Sequence, residues 1–386
     1  MNTNKKAVIV AYGRSPLARA FKGSFAQTHP VEYSSQVIKG MLAKVPSFDT
    51  ALIDDVIVGC SNPERYMGFN MGRLIAQRSG LPDSVPGQTV NRFCSSGLQT
   101  IATAANAIMA GAMDVIIAGG VEMMSSISMN FPEEFQDKKL VEQIPASYLA
   151  MGLTAENVAE QYNVSRADME IMATESHQKA AAAQAAGKFD EEIIPVTIDT
   201  ENGPVVVTKD EGIRPGTTPE TLATMNPVFK EDGVVTAATS SQMTDGAAFV
   251  LIMSEEKALE LGLKPIAVFR GYAVGGVAAS VMGIGPIVAI PKVMEKSGLS
   301  IADMDVIELN EAFAAQALAC IRELDIPMEK VNPNGGAMAL GHPLGGTGAV
   351  LVCKALSELK RNGGRYGLIS MCIGGGMGAA GIFELV

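Results

Sequence analysis

Two cysteines and one histidine stand in surroundings that could do covalent chemistry. Cys94 lies in Val90-Asn91-Arg92-Phe93-Cys94-Ser95-Ser96-Gly97, after which Leu98, Ile101, Ala105, Ile108 and Met109 recur at helical spacing up to Gly111. The pattern predicts a thiol at a helix N-terminus, where free N–H groups and the helix dipole favour the nucleophilic thiolate. An inert, buried cysteine is the alternative. Cys372 ends the strand-like run Tyr366 to Met371 and precedes Ile373-Gly374-Gly375-Gly376-Met377-Gly378, so it should lie at a strand end beside a turn rich in backbone donors. A core cysteine beside an ordinary turn fits equally well. Of three histidines, His342 sits among glycines in the stretch Asn332 to Gly348, with Pro343 biasing it towards an extended backbone. That suits a fixed imidazole in a pocket, or a loop histidine satisfied by backbone groups. His29 precedes Pro30 in an early loop and His177 reads as part of a solvated helix face, so both are expected to be bystanders. Asn310-Glu311 follows the strand Val306 to Leu309, at the end where open α/β sheets bind ligands, although taken alone Asn310 reads more readily as a helix cap.

The elements that must hold these residues repeat. Ala7-Val8-Ile9-Val10-Ala11 is matched late in the chain by Ile266-Ala267-Val268-Phe269, Asp55 to Cys60 by Asp305 to Asn310, and Val115 to Gly120 by Gly367 to Cys372. Three matched pairs in one order suggest a duplicated βαβ architecture with helices covering a largely buried sheet. The expected division is a first half at 1–120, completed by about 242–262, an inserted region at 121–241, and a second half at 263–386. The insert is marked by the Ala-rich helical stretch Lys179 to Gly187 and by the loop Gly212 to Thr218.

Composition narrows the function. The chain has 386 residues, 47 % hydrophobic and 18 % charged, with 40 glycines and a net charge of −11. A phosphate-tracking nucleic-acid partner is disfavoured by that charge, and no apolar run is long enough to insert into a membrane. Five cysteines without paired spacing suit reduced thiols in a cytoplasmic protein, and Cys60, Cys320 and Cys353 read as small hydrophobes. The apolar run after the basic start is too short for a secretory signal, and the last residues do not spell a peroxisomal Ser-Lys-Leu address. Gly341 to Thr347 lacks the lysine of a phosphate loop, which disfavours a nucleotide triphosphatase. Gly374 to Ala379 is followed by too little sequence for a dinucleotide site.

Asn91 to Gly97, Asn310-Glu311-Ala312-Phe313, Gly341-His342-Pro343 and Cys372 to Gly378 together resemble the thiolases, in the family's order and over nearly the whole chain. The resemblance implies an α/β fold of thiolase type: two similar βαβαβαββ halves forming a five-layered αβαβα core, with an inserted loop domain that helps bind coenzyme A. It implies Cys94 as the acylated nucleophile, His342 as its proton acceptor and Cys372 as the second acid and base. One oxyanion site would be His342 with a water held by Asn310; the other would be the backbone N–H groups of Cys94 and Gly374. Arg214 falls where the family contacts the nucleotide, Ser241 near the pantetheine and Met151 in the acyl pocket. Ala150, where biosynthetic acetoacetyl-CoA thiolases often have histidine, resembles the degradative subgroup that cleaves 3-ketoacyl-CoA in β-oxidation. Ala238-Thr239 stands where many members have Gly-Asn. No metal or resident cofactor is implied, coenzyme A being a substrate. Homodimers or homotetramers, and association with other β-oxidation enzymes, are the partners expected of the family.

Overall fold

The computed structural model describes residues 5–129 and 131–386. The chain first lays down β1 (Ala7–Arg14), the short β2 (Ala18–Arg19), α1 (Pro30–Leu42), β3 (Asp55–Gly59), α2 (Met71–Arg78), β4 (Gln88–Val90), α3 (Ser96–Met109) and β5 (Val115–Met123). An excursion follows, carrying α4 (Lys138–Gln143), α5 (Met151–Gln161), α6 (Arg166–Ala185), the hairpin of β6 (Val196–Thr200) and β7 (Gly203–Val207), and α7 (Pro219–Ala223). Next come β8 (Thr244–Ser254), α8 (Glu255–Glu260), β9 (Ala267–Gly276), α9 (Gly285–Ser297), β10 (Val306–Leu309), α10 (Ala314–Glu323), α11 (Ala337–Leu340), α12 (Leu344–Asn362), β11 (Tyr366–Ile373) and β12 (Met377–Leu385).

The strands run β4-β3-β5-β8-β1 on one side and β9-β12-β11-β10 on the other, joined edge to edge where Val8 pairs with Val268 and Ile9 with Ala267. Side-chain alternation along each strand divides the interior into three cores. Ile9, Ile57, Ile116, Val250, Ile369, Met371 and Phe383 point inwards onto α3 and α12. Val8, Val56, Ile117 and Leu251 point outwards onto α1 and α2, while Ile307, Leu368 and Ile382 point outwards onto α9 and α10. Both sheets therefore share one central helix pair, and the layers run α-β-α-β-α.

The expected repeat is present, shifted by one residue at two of the three pairs. Asp54 accepts the N–H groups of Asp114 and Val115 at the start of β5, and Asp305 accepts those of Arg365 and Tyr366 at the start of β11. Asp54, not Asp55, is thus the counterpart of Asp305, and Val115 matches Tyr366 rather than Gly367. The inward side chains decide the matter, because a one-residue slip would exchange the two faces of a strand.

Glycine lets the central layer close. A methyl built on Gly348 of α12 would lie 2.2 Å from the Leu98 nitrogen of α3, and one on Gly120 would lie 2.1 Å from the Gly345 carbonyl oxygen. Backbone touches backbone there. Gly348→Ala must spread α3 from α12, a cost of about 1–3 kcal/mol for overpacking, set against about 1 kcal/mol gained in helix propensity. A lower midpoint of urea unfolding in the variant is the expected result.

Candidate active site

The turn before Cys94 is locked by its own side chains. Asn91 donates to the Ser61 carbonyl (2.9 Å) and accepts from the Phe93 N–H (2.8 Å), while Ser96 Oγ accepts from the Arg92 N–H and donates to the Phe93 carbonyl. Phe93 takes φ +44°, a conformation that L-residues seldom adopt. The result places Cys94 in the single turn Phe93–Ser95 that leads into α3, partly buried and at the expected helix start. Its electrostatics differ from expectation. Burial pushes the thiol up to about 11, although the Gly374 N–H aims at the sulfur and lowers it. Loss of water outweighs the helix terminus, so the resting group is a thiol.

Cys372 lies fully buried near the end of β11, where the turn Gly374 to Gly376 reverses the chain into β12, with φ +80° and +89° at Gly375 and Gly376. Burial pushes its thiol well above the usual range, and a charge on Cys94 would push it further. Cys94 therefore lies within electrostatic range of Cys372. A methyl built on Gly374 would sit 3.5 Å from Met151 Sδ and 3.9 Å from the Phe93 ring, so Met151, at the start of α5, walls the same space.

His342 comes from the second half of the fold, as Cys372 does. Its backbone N–H reaches the Gln242 carbonyl and Thr244 Oγ1, both at 3.1 Å, and its Nδ1 meets Thr347 Oγ1 at 2.6 Å. Nε2 lies 3.4 Å from Asn310 Nδ2. Gly341 before it adopts φ +107°, with Thr244 where any side chain would go. Burial pushes His342 down to about 4, so the imidazole is neutral at physiological pH. Asn310 Oδ1 is buried with no hydrogen-bond partner among the described residues. Asn310 does not cap a helix: α10 starts at Ala314, with Phe313 in the cap position. Glu311 turns away to accept from Ser176, Asn332 and the Met338 N–H, which braces the loop leading to His342.

The remaining expected contacts lie further out. Arg214 lines an open cleft of about 410 Å³ with His177, Pro215, Thr217, Leu222 and Met225. Ser241, partly buried, donates its N–H to the Ala312 carbonyl on the segment that runs from the Asn310 loop to His342, between the cleft residues and the inner site. The Thr236 and Thr239 hydroxyls bond each other and each other's backbone, closing the turn that carries Ala238-Thr239. His177 corrects the expectation of a solvated face. It is buried, its Nδ1 accepts the Arg214 backbone N–H at 3.1 Å, and burial with the nearby Arg214 charge pushes it down to about 4. Helical spacing could not show which face the loop 212–218 covers. Sequence reasoning also missed Thr347 and Thr244; both sit within or against a glycine-rich run whose shape only tertiary contacts fix.

Residues 7–256 match the thiolase N-terminal domain and residues 263–385 the thiolase C-terminal domain. The chain belongs to the thiolase family, whose members are acyltransferases. It is 50% identical over 390 residues to a 3-ketoacyl-CoA thiolase of Bacillus subtilis (strain 168), covering 99% of this chain and 100% of that protein. It is 46% identical over 385 residues to the peroxisomal 3-ketoacyl-CoA thiolase of Homo sapiens, covering 98% and 90%. The crystal structure of the Bacillus anthracis acetyl-CoA acetyltransferase superposes with a TM-score of 0.93 at 40% identity, over the whole of both chains. No helix among the described residues is long and apolar enough to cross a membrane.

His342 gives the site a pH signature. Its folded-state value near 4 lies below the ordinary 6.5, so the unfolded chain binds the proton more tightly. The stabilisation is complete above pH 6.5 and disappears as pH falls towards 4, amounting to about 3 kcal/mol at about 1.4 kcal/mol per pH unit. Buried Glu122, raised to about 7, acts in the opposite sense over part of that window, so the check is a difference: between pH 6.5 and 4 His342→Asn should lose less unfolding free energy than the parent.

Proposed function

We propose that this thiolase cleaves 3-ketoacyl-CoA with coenzyme A, giving acetyl-CoA and a shortened acyl-CoA through an acyl-Cys94 intermediate, as a degradative enzyme of fatty acid β-oxidation. The observation that supports the reading is a protonated Cys94 thiol, bonded by the Gly374 N–H, within electrostatic range of a second protonated thiol, Cys372, while His342 is neutral with its Nε2 at Asn310. A resting thiolate–imidazolium pair is disfavoured there, so the proton leaves Cys94 for His342 as sulfur attacks the keto carbon. The tetrahedral oxyanion collapses, breaking the bond between C2 and C3. The departing enolate takes the Cys372 proton and leaves as acetyl-CoA. Cys372 thiolate then removes the proton of the incoming coenzyme A thiol, that sulfur attacks the acyl-Cys94 thioester, and His342 returns its proton to Cys94. The Gly374 N–H beside the Cys94 sulfur and the Asn310–His342 pair supply the donors for the two oxyanions. Coenzyme A enters as a substrate, its nucleotide at the Arg214 cleft and its pantetheine passing Ser241.

The names of the B. subtilis and human relatives support the degradative subtype, as does Ala150 before Met151. The B. anthracis neighbour favours a second reading, condensation or cleavage confined to acetoacetyl-CoA. Turnover on short and long 3-ketoacyl-CoA substrates separates them: activity on acetoacetyl-CoA alone would defeat the first. We also infer a cytoplasmic homo-oligomer. The support is five free thiols, and an open sheet edge at β4 flanked by exposed Tyr66, Phe69 and Phe93.

Cys94→Ser should fold normally, lose acyl transfer and leave no acyl mass on its Cys94 peptide; retained activity refutes the nucleophile. His342→Ala should slow iodoacetamide alkylation of Cys94. Arg214→Ala should raise the KM for coenzyme A about tenfold, the worth of a charge-assisted contact, with kcat nearly unchanged.

A further inference from the structure

Glu122, near the end of β5, is an isolated carboxylate in an apolar strand and is wholly buried. Its oxygens are committed to backbone donors from two directions. Oε2 accepts from the Gly345 N–H at 2.7 Å and the Ser61 N–H at 2.8 Å, and Oε1 accepts from the Asn62 N–H at 3.1 Å and, more weakly, from the Cys60 thiol at 3.9 Å. Each direction leads to a reacting group. Gly345 opens α12, three residues after His342, in the same turn whose Thr347 holds the imidazole. Ser61 offers its carbonyl to Asn91, and Asn91 holds the Phe93 N–H beside Cys94. A methyl built on Gly345 would lie 2.8 Å from Glu122 Oε2 and 2.6 Å from the Ser61 nitrogen, so these groups meet only because Gly345 has no side chain. The start of α12, which resembles an anion-binding loop in sequence, is occupied by a carboxylate of the protein itself.

We propose that Glu122 is a positioning residue for acyl transfer, a buried carboxylate that fixes the start of α12, and with it His342, against the loop that carries Cys94. This rests on the Cys94–His342 reading above. Three N–H donors need an acceptor-only group, and glutamine would present an amide N–H to one of them. The charge also sits at a helix N-terminus, which favours it. Burial pushes the Glu122 carboxyl up to about 7, and its charge opposes ionisation of Cys94. The titratable groups facing it among the described residues are Cys60, Cys94 and Tyr33, whose hydroxyl donates to the Glu122 carbonyl at 2.9 Å. Neutralising Glu122 therefore has two effects of opposite sign: a Cys94 that ionises more easily, and a pair that is misaligned.

The test compares Glu122→Gln and Asn91→Ala in the full chain, with folding checked by circular dichroism and Cys94→Ser as the inactive reference. In Glu122→Gln, kcat should fall roughly ten- to a hundredfold, the scale of an ångström-sized misplacement, with the KM for coenzyme A within about threefold of the parent. The pH midpoint of Cys94 alkylation by iodoacetamide should move down, which a general loosening of the fold would not produce. Asn91→Ala, at an exposed position, should lower kcat with that midpoint unmoved. Parental kcat in a folded Glu122→Gln, or a KM that rises in step with the loss of kcat, overturns the proposal. Should Glu122→Gln fail to fold, parental kcat in Asn91→Ala overturns it instead. If Cys94→Ser itself turns over substrate, the underlying thiolase chemistry is what has failed.

Discussion

The structure depends on one close approach: the first turns of α3 and α12 pressed against each other and against β5. Gly97, Gly120, Gly345 and Gly348 all face backbone atoms at distances that leave no room for a methyl group. Because both sheets pack on this one helix pair, the ends of strands from both halves must reach the same point in space. The arrangement is crossed. The end of β5 in the first half holds the start of α12 through Glu122, while the turn after β11 in the second half brings its Gly374 N–H to Cys94 at the start of α3.

Dryness sets the chemistry of that point. In water a cysteine at a helix start would be partly ionised and a histidine partly protonated. Here burial moves the two thiols up and the imidazole down, so all three groups rest uncharged. Charge then appears only as bonds form, opposite donors that are already fixed. The open Arg214 cleft is the contrast: there an exposed guanidinium lies beside a buried, neutral His177.

Much of this was legible in the chain. The apolar runs of β1, β5, β10 and β11 fall where they were expected, because strands buried on both faces need continuous hydrophobic sequence. The helix after Cys94 was legible from its spacing, and the His342 loop from its glycines and proline. The register of the repeat was not, since Asp54 and Asp55 are chemically identical and only the inward side chains choose between them. The burial of His177 was hidden too, because its helix is covered by a loop remote in sequence.

The sequence by itself determined the elements, the duplicated order and the residue types able to carry acyl transfer, since these follow from local periodicity, turn chemistry and side-chain identity. Only the tertiary structure decided the protonation state of Cys94, the partner that orients His342, the bracing role of Glu311 and the meeting of Glu122 with Gly345. Those depend on how much water is excluded and on which distant backbone groups arrive at a given point. Both quantities are fixed by tertiary packing, across as many as the 223 residues that separate Glu122 from Gly345, and no local pattern encodes them.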